Sequence, residues 1–445
     1  MNKPILSAML CVALATGALA GCADQQNTET ASASETEIVA VQESTTTEAE
    51  TQTEAQSATF TASTTSVSAV EGGLVDATEL FTERDLTQEA DTSGATTYTV
   101  ESGKDIEITE DGVYVLTGTA EDTTITVNAE DSAKVQLVLN GVNITNESEA
   151  AIYVVSADKV FITLADGTTN TLATTGEFVA DGDTNVDGVV FAKDDVVLNG
   201  TGTLVVNSSA NGIVGKDDVK ITGGTYEITA ENHAIQGKDS VAIADGTFTL
   251  QAGKDGIHAE NSDDTTKGYV YIGGGIFQIT AASDGIEGDA FVQIDSGAMS
   301  IDAGEGIEGT YVQVNGGAVN INASDDGINA TSKATAYDIP TIEINDGTIT
   351  VTMGAGDTDA LDANGNLYIN GGTVDITAQS PFDFDGEGQL NGGTVTVNGE
   401  QVTELTSQMM GGGMGGGQRG DMGGGPMHGG MGGGQMGAMG ATQNA

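Results

Sequence analysis

Short segments in which apolar and polar residues alternate, such as Val292-Gln293-Ile294 and Val319-Asn320-Ile321, recur along most of the chain and are rich in Val, Ile and Thr. Alternation with a period of two predicts strands buried on one face, and no helical spacing interrupts the repeats. Two registers of turns separate the strands. One reads Asp255-Gly256-Ile257, Asp284-Gly285-Ile286, Glu305-Gly306-Ile307 and Asp326-Gly327-Ile328. It extends to Asp187-Gly188-Val189, Asn211-Gly212-Ile213, His233-Ala234-Ile235 and Asp359-Ala360-Leu361. The other lies half a period behind, in Gly223-Gly224-Thr225, Asp245-Gly246-Thr247, Gly316-Gly317-Ala318, Gly371-Gly372-Thr373 and their counterparts. A repeat of about 21–22 residues with one apolar residue and one acid per copy is the mark of a stacked array. The pattern predicts an all-β chain wound as a parallel β-helix, a solenoid of short coils.

Stacking turns the acids into columns. Successive coils lie about 4.8 Å apart, so Asp255, Asp284, Glu305, Asp326 and Asp359 form one row, with Asp325 beside it. Three residues further on, His258, Glu287, Glu308, Asn329 and Asp362 form a second. Two carboxylates at that spacing repel by roughly 3.5 kcal/mol at an effective dielectric near 20. With only 13 Lys plus Arg in 445 residues, the expected counter-ion is Ca2+, a hard cation that takes oxygen ligands in flexible geometry. The competing reading is a solvated acidic edge.

Two further groups carry oxygen ligands. Asp183-Thr184-Asn185-Val186-Asp187-Gly188 followed by Asp194 has the spacing of a calcium loop, in strand-like rather than helical flanks. Asp357, Asp359 and Asp362 recur a coil later as Asp383 and Asp385, the best candidate for an acidic site that meets a ligand. Lys193-Asp194-Asp195, Lys216-Asp217-Asp218 and Lys238-Asp239 read instead as a structural column in which opposite charges offset each other.

The formal charge of −53 excludes nucleic acid as a partner. Tryptophan is absent and aromatics make up 4%, so stacking of sugars on Trp is excluded too. Residues 1–21, a basic start and an apolar run ending Leu19-Ala20-Gly21-Cys22, read as a signal peptide. The ending resembles a lipobox, which makes Cys22 the lipid-bearing first residue of an extracytoplasmic surface lipoprotein. Membrane contact is then through the lipid alone. Residues 22–70, rich in Ser, Thr and Glu, read as a disordered stalk. Residues 71–400 are the solenoid, opened by an N-terminal cap with a short helix near Ala77–Phe81. Residues 401–445 are a disordered Gly/Met-rich tail. Insertions near 261–267 and 331–340 interrupt the period.

No arginine lies between Glu101 and Glu400, so the base usual in polysaccharide lyases is missing. Lys254, Lys267 and His258 are the remaining candidates. The phrase Ile369-Asn370-Gly371-Gly372-Thr373-Val374, the Asp-Gly-Ile turns, Glu260-Asn261-Ser262-Asp263-Asp264, Asp359–Gly365 and the Gly/Met tail together resemble a secreted carbohydrate-binding β-helix family of anaerobic plant-fibre-degrading bacteria. The resemblance spans about residues 74–399. It implies a right-handed parallel β-helix that holds several Ca2+ ions, binds cellulose and polygalacturonate and does not catalyse. Pectic acid suits a calcium-laden anionic surface better than neutral cellulose does. A calcium-dependent polysaccharide lyase and an adhesin or envelope-structural protein are the rival expectations.

Overall fold

The computed structural model describes residues 63–355 and 358–407. The signal peptide, Cys22, Asp357 and most of the expected stalk and tail lie outside the described residues. Within them the chain is all-β, with 34 strands and one helix, Ala77–Leu80. No helix there is long and apolar enough to cross a membrane.

Strand pairing is parallel and skips along the chain. Thr203–Ser208 pairs with Thr225–Ala230, which pairs with Thr247–Ala252, Ile276–Ala281, Ala298–Ala303, Ala318–Ala323 and Thr348–Met353 in succession. A second row runs through Val196–Gly200, Asp218–Ile221, Ser240–Ile243 and Tyr269–Ile272. A third is built from the Asp-Gly-Ile turns, from Asn211–Gly215 to Ser380–Phe384. One strand pair is antiparallel among the described residues, Thr394–Val397 with Glu400–Val402.

Side chains that alternate along each strand explain the core. Ala298–Ala303 buries Met299, Ile301 and Ala303, and Val319, Ile321 and Ala323 repeat this one strand over. Ile235, Ile257, Ile286, Ile307 and Ile328 share one register position, so each turn contributes a branched apolar side chain to the same column. Tyr226, Phe248 and Phe277 stack face to face inside, with centroids 5.1 and 4.6 Å apart.

The two glycine registers have different physical reasons. At Gly306 the conformation is ordinary, but a Cβ would strike the Gly327 carbonyl oxygen and lie 2.5 Å from Ile321 Cγ2. At Gly347 the requirement is φ = +105°, open to glycine and strained for other residues. Gly306→Ala should therefore cost about 2–3 kcal/mol, the upper part of the roughly 1–3 kcal/mol typical of overpacking, because the struck atom is backbone. Gly94→Ala, with nothing within 4 Å, should leave the denaturation midpoint unchanged. Equal midpoints for the two variants would contradict this account of the turn.

Three expectations need correction. Asp187-Gly188-Val189 is one residue out of step, because Val190 lies opposite Ile213 and Gly188 opposite Asn211. The Asp-rich loop before it adds a residue that period counting could not place. The helix at Ala77–Leu80 exists, N-capped by Asp76, whose Oδ1 accepts from the Thr78 amide at 2.9 Å. It does not lie over an end of the repeat, however. Ala77 and Phe81 pack on the outward side of the second row, against Ala242, Ala244 and Tyr271, where apolar side chains need cover. Flanking residues continue this strap. Val75 N donates to Gln293 Oε1 at 2.9 Å, Gly200 N donates to Gln88 Oε1 at 2.9 Å, and the Arg84 guanidinium sits 4.2 Å over the Phe161 ring. The packed chain also begins before residue 71, since Thr65 Oγ1 donates to the Thr222 carbonyl at 2.7 Å, and it continues past 400 to Leu405.

Candidate functional site

The third strand row carries two parallel files of side chains, set by register. Asp284 lies opposite Glu305, and Asp359 opposite Ser380. The flanking isoleucine pairs place His233, Asp255 and Asp326 in that same file. The second file runs Gln236, His258, Glu287, Glu308, Asn329, Asp362 and Asp383. Asp255, Asp284, Glu287 and Glu308 are buried; Asp359, Asp362 and Asp383 are half-buried, and Asp385 is exposed.

Burial and mutual repulsion dominate the electrostatics. Desolvation and the charge of Asp255 push Asp284 up to about 8. Burial raises Glu308 to about 7, even though Lys333 pulls the other way. Burial, helped by Glu305 and Asp325, raises Asp326 to about 6. Burial also raises Glu305, against a hydrogen bond from Asn329. At Asp362, burial and the charges of Asp326, Asp359, Asp383 and Asp385 bring the carboxyl to about 7.

Two kinds of partner escaped the sequence reading. Lys333, from the insertion at 331–340, places Nζ against both Glu287 and Glu308, so the files are not wholly without a cationic side chain. Burial would lower this lysine, but the glutamates hold it well above its usual value. The histidines are the second kind. His258 Nδ1 lies 2.7 Å from Glu287 Oε2 and 3.1 Å from Asp255 Oδ2. Burial opposes protonation there, yet Asp255 and Glu287 outweigh it and push the imidazole up to about 10. Asp255 stays well below the usual carboxylate range, its desolvation overcome by His233, His258 and the Asp284 amide. No local signal marks Lys333, which reaches the files across 46 residues from Glu287. His258 was visible as a member of the second file.

The donor set fits a hard cation. Asp255, Asp284 and Glu287 bring three carboxylate oxygens within 4.8 Å of one another, as do Asp284, Glu305 and Glu308. Oxygens around one Ca2+ at 2.3–2.6 Å lie within about 5 Å of each other. Asn329 Nδ2 donates to Glu305 Oε2 at 2.9 Å, while its Oδ1 is buried with no hydrogen-bond partner.

The other candidates are looser. In the Asp183–Asp187 loop, Asp183 and Asn185 are exposed, Asn185 Nδ2 donates to Asp187 Oδ2 at 2.8 Å, and Asp187 Oδ1 is buried without a partner. Asp194 does not close this loop; its Oδ2 accepts from the Ala157 amide at 2.9 Å. Asp325 is exposed at the rim of the first file. At the other end, Asp362 lies opposite Asp383, Ser407 Oγ donates to Asp383 Oδ1 at 2.8 Å, and Ser380 Oγ donates to Asp359.

The lysine–aspartate column is neutralised differently from the expectation. Lys193 and Lys216 sit over the rings of Tyr153 and Phe191. Lys159 faces Asp195, Lys220 faces Asp218 and Lys267 contacts Asp239. Burial and Asp239 still raise Asp217 to about 7.

The chain has relatives among known proteins. A family model described as carbohydrate-binding domain-containing protein matches residues 102–360 and 310–426. A protein of that description from Acetivibrio thermocellus is 40% identical over 206 residues, which cover 46% of this chain and 72% of its own length. The chain belongs to the family of carbohydrate-binding domain-containing proteins. A solved structure of the polysaccharide lyase-like protein from C. thermocellum, a gadolinium derivative, is 35% identical, covers 47% of this chain and 92% of its own, and gives a TM-score of 0.45.

Proposed function

We propose that the chain is a right-handed parallel β-helix and a non-catalytic, calcium-dependent binder of polysaccharide, held outside the cell by a lipid on Cys22. Its ligand is an acidic plant cell-wall polymer such as polygalacturonate, with cellulose as the neutral alternative. The observation that carries the reading is the stack of carboxylates in which buried Asp284 and Glu308 and half-buried Asp362 are raised to about 8, 7 and 7. Such groups ionise together at neutral pH once a cation sits among them. The pairing of each strand with its counterpart one coil later supports the winding, and family membership supports a carbohydrate ligand.

Two of the nitrogen bases considered for a lyase are held protonated at neutral pH, because carboxylates raise His258 and Lys267 above their ordinary values. A glycan array probed with the full chain, with and without EGTA, tests the proposal. Binding to acidic galacturonans that disappears in chelator supports it. Unsaturated product absorbing near the ultraviolet during incubation with polygalacturonate would replace it with the lyase.

Calcium should depend on the two files and not on the lysine–aspartate column. Glu305→Gln with Glu308→Gln is expected to remove at least one ion and weaken calorimetric Ca2+ binding about tenfold or more, since two of the three convergent carboxylates at one group are lost. Lys216→Gln with Asp217→Asn should leave the titration unchanged. Equal losses for both pairs would mean that the ions sit elsewhere.

A further inference from the structure

At the N-terminal end of the files the donors change from oxygen to nitrogen. His233 and His258, one coil apart, stack with ring centroids 4.4 Å apart and planes 24° from parallel. Both turn Nδ1 toward the same oxygen: Asp255 Oδ2 is 2.8 Å from His233 Nδ1 and 3.1 Å from His258 Nδ1. Asp255 Oδ1 is occupied separately, accepting from the Asp284 amide at 3.0 Å. The side chains of His233, Asp255 and His258 are only 12%, 5% and 8% exposed. Their ligating atoms lie within 4.8 Å of one another.

Protons satisfy this arrangement only in part. Protonated at Nδ1, His258 is aligned with Glu287 Oε2 at 2.7 Å. His233 Nδ1, although close to Asp255 Oδ2, makes no hydrogen bond and is closed to solvent. A neutral ring with a lone pair on that nitrogen would face the carboxylate with like polarity. A cation among Nδ1 of His233, Nδ1 of His258 and Oδ2 of Asp255 satisfies all three atoms at once. Ca2+ is poorly suited, because it takes oxygen ligands, whereas imidazole nitrogen suits Zn2+, Cu2+ and Ni2+. The observed separations approach the roughly 3.3 Å between neighbouring ligands of a tetrahedral ion bonded at about 2.0–2.1 Å.

We propose that His233, His258 and Asp255 form a transition-metal site of Zn2+ type, distinct in donor chemistry from the all-oxygen groups at Asp284, Glu305 and Glu308. One protein would then hold two classes of cation along one file, with the boundary at Asp255. The site stands whether or not the neighbouring groups take calcium.

The test uses the full chain, stripped with EDTA and dialysed, and titrated with Zn2+ in the presence of millimolar Ca2+. One equivalent should bind, and Co2+ in its place should give the visible absorption of a tetrahedral ion. His233→Gln should weaken Zn2+ binding by about 100-fold, the loss of one of three strong ligands, while Glu305→Gln leaves it unchanged. Nitrogen-15 spectra of the wild-type histidines, three in all, give a readout that needs no variant: Zn2+ should shift the Nδ1 resonances of His233 and His258. Zn2+ binding that is displaced in full by millimolar Ca2+, that survives His233→Gln, or that shifts His428 alone would overturn the proposal. Loss of Ca2+ binding in the Glu305 and Glu308 variants with Zn2+ binding intact would separate the two classes of site.

Discussion

Millimolar Ca2+ is expected to raise the melting temperature by several degrees over that in EGTA, and by more at pH 8 than at pH 5. A ligand that binds only the folded chain adds about 2.7 kcal/mol per site at a hundredfold excess over Kd. With an unfolding entropy of about 2.1 cal/mol/K per residue over roughly 340 residues, each site contributes about 4 °C. The pH dependence follows from the raised carboxyls. Without a cation, Asp284 titrates near 8 and Glu308 and Asp362 near 7, all well above their unfolded values. The folded state therefore binds more protons, and stability present below about pH 4 is lost as pH rises toward 8. His258, raised to about 10, acts in the same direction: its contribution is complete below its unfolded value of about 6.5 and is lost as pH rises through 10. Asp255 and Glu287 are lowered and matter only in acid, where stability falls as they take up protons. Chelated protein should thus melt lower at pH 8 than at pH 5, and calcium, which replaces those protons, should flatten the difference. Coincident melting curves with and without Ca2+ at both pH values would reduce the files to a solvated edge.

The repeat was legible because each strand of a row meets the same kind of neighbours. Ile257, Ile286, Ile307 and Ile328 each occupy the same packing environment, so the constraint appears at a fixed period. What the period cannot carry was missed. Lys333 leaves an insertion and enters the files by contacting Glu287 and Glu308 on neighbouring strands, and the strap at 63–91 lies on strands up to 241 residues away. The Asp187 turn was read one residue out of step because an irregular loop changes the count. A further ladder went unnoticed beside a motif that was seen. Asn345, Asn370 and Asn391 each donate from Nδ2 to the Oδ1 of the asparagine one coil before, at 2.8 Å. Each link satisfies a turn amide that water would otherwise have to serve. An asparagine two residues before the last glycine of the turn, as in Asn315-Gly316-Gly317 and Asn345-Asp346-Gly347, is the ladder's sequence signal.

Asp359→Asn with Asp362→Asn is expected to abolish retention on a polygalacturonate column while leaving most of the calcium-linked stability in place. The inner groups are closed: buried Asp284 converges with Asp255 and Glu287 on one side and with Glu305 and Glu308 on the other. The C-terminal cluster is open, with Asp359, Asp362 and Asp383 half-buried and Asp385 exposed. A Ca2+ ion held there by few protein oxygens keeps coordination positions that galacturonate carboxylates can fill. The need for such a bridge is electrostatic. A chain of net charge −53 and a polyanion repel, so their affinity has to pass through cations. Retention should accordingly vanish in EGTA and fall with methyl esterification, which removes the charged oxygens of the polymer. The inner groups remain intact in the double variant, so its melting temperature in Ca2+ should fall by no more than the few degrees that one site contributes. Retention that persists in both EGTA and fully esterified polymer would place the sugar on an uncharged face of the strands instead.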